Sequence, residues 1–119
     1  DQPDAFSKGD FYARVTIDGD TTKTEPIKQN PTIEPNWSVS KQTSKRNVNV
    51  KVEILDKDVQ NDDPIDVNRL DNKRDLDFSV DTKKCRVEGF ASTYKCKTKI
   101  SRAGKEKKAA EVTFTVNVK

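Results

Sequence analysis

The chain has 119 residues, of which 31% are hydrophobic and 36% charged, about one domain's worth. Leu, Ile, Val and Phe together supply 22%, enough for one small core over 1–119 and too little for a second. There is no His, which excludes His triads, His metal sites and imidazole bases.

No apolar run approaches the ~18–20 residues of a membrane span, and no glycine-rich phosphate loop occurs. A nucleotide ligand is therefore not expected. There is no Met either, so the chain is expected to be a processed or excised segment. The net charge of +3 hides a strong asymmetry: residues 1–81 carry 12 basic and 17 acidic side chains, residues 82–119 carry 11 and 3.

The hydrophobic period is two throughout. In chain order, Phe11, Ala13, Val15 and Ile17 alternate with Tyr12, Arg14 and Thr16, which predicts a half-buried strand. Asp18-Gly19 is a hairpin signal leading into a weaker strand over 21–28. Pro31 and Pro35 bracket a connection to Trp37, expected in the core, and to another weak strand over 37–42. Val48, Val50, Val52 and Ile54 alternate with Asn49, Lys51 and Glu53. Asp62-Asp63-Pro64 marks a turn. Leu76, Phe78 and Val80 form a further alternating run.

Weak strands follow over 84–88 and 94–100. In the second, Cys96, Thr98 and Ile100 are expected inward, with Lys95, Lys97 and Lys99 as an outward basic face. Ala103-Gly104 is a turn, and Val112, Phe114, Val116 and Val118 close the chain. The predicted fold is all-β, an antiparallel β-sandwich of seven to eight strands. Cys85 and Cys96 are expected to form a disulfide in an oxidising compartment; the alternative is two buried thiols.

The acidic residues gather beside the strands. Asp4 and Asp10 flank the entry to the first strand. Asp56 and Asp58 follow the strand over 47–55, with Asp62 and Asp63 just beyond. Were those strands neighbours, both clusters would meet at one end of a sandwich. Crowded carboxylates suit a hard divalent cation such as Ca²⁺, which takes 6–8 oxygen ligands. An EF-hand starting at Asp56 fails, because its sixth position is Asn61 rather than Gly and its twelfth is Val67 rather than Glu.

These residues resemble the C2 domain. Asp4-Ala-Phe-Ser-Lys-Gly-Asp10-Phe-Tyr12-Ala-Arg-Val15 is similar to that family's first calcium loop and the strand after it, with Phe11 in place of the usual Pro. Asn30-Pro31 and Glu34-Pro35-Asn36-Trp37 resemble its Asn/Pro/Trp connection. Val52-Glu-Ile-Leu55-Asp56-Lys57-Asp58 resembles the strand and Asp-x-Asp opening of its third calcium loop, and Glu111–Val118 its closing strand.

The resemblance implies a C2-like fold, Ca²⁺ as cofactor, and Asp4, Asp10, Asp56, Asp58 and Asp63 as ligands. The loop from Asp56 to Asp63 is one residue shorter than the commonest family form, which makes Asp62 the alternative to Asp63 as a ligand. The family's usual Gly after the apolar pair is Asp66 here.

By the same likeness, the function expected is calcium-dependent binding to membrane phospholipid or another anionic ligand, with Phe6 and Val59 as membrane-inserting loop tips. Lys95, Lys97 and Lys99 would add attraction to an anionic surface. The alternative is a secreted structural or adhesive domain in which calcium only stabilises the loops and a protein or glycan partner binds elsewhere. The protein is expected to be secreted or extracellular, with a peripheral position on a membrane as the form that lipid docking would take. Nucleic acid is not an expected partner, because aromatics do not interleave with the basic run. Nothing resembles a nucleophile and base constellation, so an enzyme is not expected.

Overall fold

A computed structural model of the chain describes residues 10–28, 37–57, 63–70, 73–105 and 109–118. Among them are ten strands: β1 (Asp10–Ile17), β2 (Asp20–Lys23), β3 (Ile27–Lys28), β4 (Asn47–Lys57), β5 (Asp63–Ile65), β6 (Leu76–Asp81), β7 (Arg86–Glu88), β8 (Tyr94–Lys95), β9 (Ile100–Ala103) and β10 (Glu111–Phe114). The larger sheet runs β2-β1-β4-β6-β7-β8, with β3 on β1 and β5 on β4; β9 and β10 form a second, two-stranded sheet. All strand pairs are antiparallel. The fold is all-β, two sheets in a broadly sandwich-like arrangement.

The number of strands exceeds the seven to eight expected because turns split two predicted runs. The run 21–28 becomes β2 and β3. The run 94–100 divides at Cys96-Lys97, where Lys97 has φ 69°, so Lys95, Lys97 and Lys99 are all exposed without sharing one strand. Residues 37–42 form no strand. Trp37 sits at the margin, half-buried against the core, its indole N–H donating to the Glu25 carbonyl at 3.0 Å.

The strong alternating runs follow their pattern. On β6, Leu76, Phe78 and Val80 are buried. They join two adjoining clusters. Phe11, Ala13, Ile54, Ile65, Val67 and Leu76 form one. Phe78, Val80, Val87 and Ile100 form the other, with Phe114, Val116 and Val118 packed on it. The small sheet thus covers the inner face of the large one, and apolar area leaves water on both. Phe78 packs on Phe90 and Phe114 with ring centroids 5.3 and 5.5 Å apart, within the favourable range for aromatic pairs.

Three turns are held by side chains. Asp18 and Gly19 both have positive φ, 51° and 93°, the conformation that Asp-Gly favours in a two-residue hairpin. Asp81 accepts the backbone N–H groups of Lys83 and Lys84, each at 3.0 Å. Cys85 and Cys96 are bridged, with Cα atoms 5.3 Å apart, closing the open end of the β7–β8 hairpin. A loop that short contributes about 2–3 kcal/mol through the unfolded chain.

On the outer face, Arg14 and Glu53 are direct cross-strand partners. The Arg14 guanidinium donates to both Glu53 oxygens, at 2.9 and 2.8 Å, and holds that carboxyl below its ordinary value. Asp18 is lowered by its hydrogen bond from Lys45, and Asp81 by the Lys84 backbone N–H, with Arg46 adding to it.

All three carboxyls bind a proton more weakly folded than unfolded. The unfolded chain therefore takes up more protons in acid, and their stabilisation, present above the ordinary carboxylate range, is lost as pH falls through the lowered folded values. The thermal midpoint is expected to fall steadily from about pH 5 to about pH 2, and Glu53→Gln to flatten part of that slope. A midpoint independent of pH across this range would contradict the assignment.

Candidate metal centre

The register of three neighbouring strands builds the acidic end. Asp10 opens β1 and pairs with Lys57, the last residue of β4; Phe11 pairs with Asp56. On the other side of β4, Asp56 pairs with Asp63 of β5. The antiparallel pairing of β1 with β4 brings Asp10 and Asp56, far apart in sequence, to one end of the sheet.

Burial at this end is deeper than alternation predicts. Phe11, Tyr12 and Ala13 are all buried, and so are Ile54, Leu55 and Asp56. Tyr12 was expected to face solvent with Arg14 and Thr16, yet it is only 5% exposed. Both faces of β1 and β4 are therefore shielded here, and Asp56 is 3% exposed. A buried carboxylate is costly unless hydrogen bonds or a cation compensate it.

The Asp10 carboxylate has one oxygen, Oδ1, that is buried and takes no hydrogen bond among the described residues. Oδ1 of Asp56 is equally withdrawn from solvent, in a carboxylate that has an interaction of its own. Oδ1 of Asp10 is a hard oxygen donor, buried and uncompensated among the described residues, of the kind that suits Ca²⁺. Asp56 stands one register step away, an offset at which strand side chains leave opposite faces, so the two carboxylates meet only by reaching around the strand ends.

The remaining residues divide as follows. Asp63 is placed by its backbone pairing. Asp4, Phe6, Asp58, Val59 and Asp62 lie outside the described residues. Among the described residues, no group of three or more His, Cys, Asp or Glu side chains converges in a metal-holding arrangement. The structure thus places Asp10 and Asp56 on adjacent strands, one register step apart.

Asp66 plays a different part. It is fully buried, and its carboxylate accepts backbone N–H groups from Asn68 at 3.1 Å and Lys105 at 3.0 Å. Its carbonyl accepts from Ala110 at 2.9 Å. It fastens the loop end of the β9–β10 hairpin to the segment after β5. Sequence reasoning marked it only as a departure from a glycine; the buried apolar neighbours Ile65 and Val67 were the available signal that this acid turns inward.

A shallow groove of about 290 Å³ lies far from the acidic end, lined by Thr16, Gly19, Asn49, Lys51, Asp77 and neighbours. Asp77 is tied to Lys73 at 2.6 Å, and the groove carries no pair of acids. Comparison with protein-family models, with curated proteins and with solved structures finds no match to this chain.

Proposed function

We propose that this chain is a C2-like, calcium-binding module that docks on anionic phospholipid surfaces when calcium is present. The observation that carries the reading is Oδ1 of Asp10, buried without a hydrogen-bond partner among the described residues, one register step from buried Asp56. Asp10 and Asp56 would hold the ion, with Asp63 on the neighbouring strand. The sequence resemblance adds Asp4, Asp58 and Asp62. Bound calcium would neutralise these acids and offer open coordination positions to phosphate oxygens.

The shielding of β1 and β4 by buried residues on both faces keeps Asp10 and Asp56 in a low-dielectric setting, where an ion pair is stronger than in water. The loop-tip roles of Phe6 and Val59 rest on the resemblance alone. The disulfide is consistent with an oxidising compartment and supports secretion.

Thermal unfolding tests the reading. Going from excess chelator to about 10 mM calcium, with an affinity of about 10⁻⁴–10⁻³ M typical of extracellular modules, should raise the midpoint by roughly 5–10 °C. Asp10→Asn and Asp56→Asn should each abolish the rise. Calcium should then drive co-sedimentation with phosphatidylserine-containing vesicles and not with phosphatidylcholine alone. An unchanged midpoint in calcium would overturn the metal site and the lipid docking with it.

A further inference from the structure

We propose that the disulfide-stapled hairpin β7–β8, with the turn that follows it, is a binding surface for a linear acidic polysaccharide, gripped through its sulfate or carboxylate groups. This goes beyond the calcium reading and does not depend on it.

Three observations place it there. Residues 83–102 hold seven cations, Lys83, Lys84, Arg86, Lys95, Lys97, Lys99 and Arg102, and a single acid, Glu88. The ion pairs among the described residues are made by cations outside this segment: Arg14, Lys41, Lys45, Arg46, Lys51 and Lys73. Asp81, the acid at the start of the β6–β7 turn, is turned inward and occupied by the Lys83 and Lys84 backbone and by Arg46.

The second observation is the register. Arg86 and Lys95 lie directly opposite each other, and like charges in that position are destabilising. The adjacent residues on both strands are the bridged cysteines, so a covalent link holds the repelling pair together. The third is backbone conformation. Cys85 and Lys97 both have positive φ, 51° and 69°, a region that non-glycine residues rarely enter. Lys97 is fixed there by its N–H bond to the Val116 carbonyl at 2.8 Å. The fold thus keeps cations side by side at an energetic cost, an arrangement that a polyanion would relieve.

The chemistry of the patch selects the partner. Phe90 and Tyr94 are engaged by Arg102, whose guanidinium lies 4.5 and 5.4 Å from their ring centroids. They offer no free platform for stacking nucleic-acid bases. The large hydrophobic residue exposed among the described residues, Leu70, lies outside the segment, so there is no apolar group here to enter a bilayer. In the oxidising compartment that fits a disulfide, acidic polysaccharides are the polyanions that remain.

The test is titration calorimetry with heparin and with polygalacturonate, in excess chelator so that the calcium site plays no part. Binding is expected at about 0.15 M salt and should weaken steeply as salt rises. The variant Arg86→Ser/Lys95→Ser/Lys97→Asn/Lys99→Ser should bind at least about tenfold more weakly, as loss of several charge contacts predicts. Lys51→Ser/Lys73→Ser should match the wild type. If the fourfold variant does not fold, Lys95→Ser/Lys99→Ser, both at exposed positions, reads the same loss in smaller measure.

Reduction of Cys85–Cys96 leaves the charge count unchanged and should still weaken binding several-fold. The proposal is overturned by absence of binding, by equal loss in the control variant, by indifference to reduction, or by tighter binding to phosphatidylserine vesicles or single-stranded DNA at the same salt.

Discussion

Gly104→Ala is expected to destabilise the protein by about 3–5 kcal/mol, enough to leave much of the chain unfolded at room temperature. A Cβ at position 104 would overlap the carbonyl carbon and oxygen of Asp66. These are backbone atoms of a fully buried residue, so no flexible side chain can move aside. Gly104 also donates its N–H to the Ala110 carbonyl at 3.0 Å, so shifting the glycine to relieve the overlap breaks the bond that closes the hairpin loop. The control is Gly19→Ala, where an added Cβ meets nothing within 4 Å and the cost is confined to positive φ. Chemical denaturation of both variants checks the difference. Equal, small losses would mean that the approach of Gly104 to Asp66 is not a constraint.

Asp66→Ala is expected to cost about 2–4 kcal/mol. The substitution strips the acceptor from two backbone N–H groups, those of Asn68 and Lys105, at a fully buried position. A buried donor left unmet loses its full solvation, which exceeds the net worth of the bond itself. Asp66→Asn keeps one carbonyl oxygen and one of the two bonds, so its loss should be roughly half. The order wild type, Asn, Ala in denaturation midpoint is the readout. An alanine variant as stable as the wild type would show that Asp66 does not fasten the two segments.

The proposed metal site and the fastening at Asp66 are separable in these experiments. Asp66 variants should lower stability with and without calcium by the same amount. Asp10 and Asp56 variants should change the calcium response above all.

The strands most legible in sequence were those with unbroken alternation of apolar and polar residues. Val48 to Ile54 and Leu76 to Val80 became β4 and β6, with inward residues as expected, because a half-buried strand admits only one register of its apolar face. The small-sheet run Val112 to Val118 keeps the alternation too, half-buried on one side and exposed on the other. Tyr12 and Leu55 were not legible as buried. Alternation records one buried face, and at the acidic end both faces of β1 and β4 are shielded.

The single strand expected over 94–100 failed for a local reason. A left-handed lysine at position 97 interrupts it, and Lys gives no composition signal for that conformation. For the site, sequence placed Asp10 and Asp56 at strand ends. Only the β1–β4 register sets them on adjacent strands, one step apart. The opposition of Arg86 and Lys95 was likewise invisible, since cross-strand pairing over a loop is not encoded in the spacing of either residue.

The two ends of the larger sheet bear on behaviour at high concentration. A strand edge with open N–H and C=O groups is a template on which another chain can assemble. Here one end is β2, four exposed residues reading Asp-Thr-Thr-Lys, and the other is β8, only two residues long and ending in a lysine. Neither offers the length or apolar face that strand-on-strand growth requires. The two outermost strands of this path therefore do not offer one copy of the protein a template on which the sheet of another can grow.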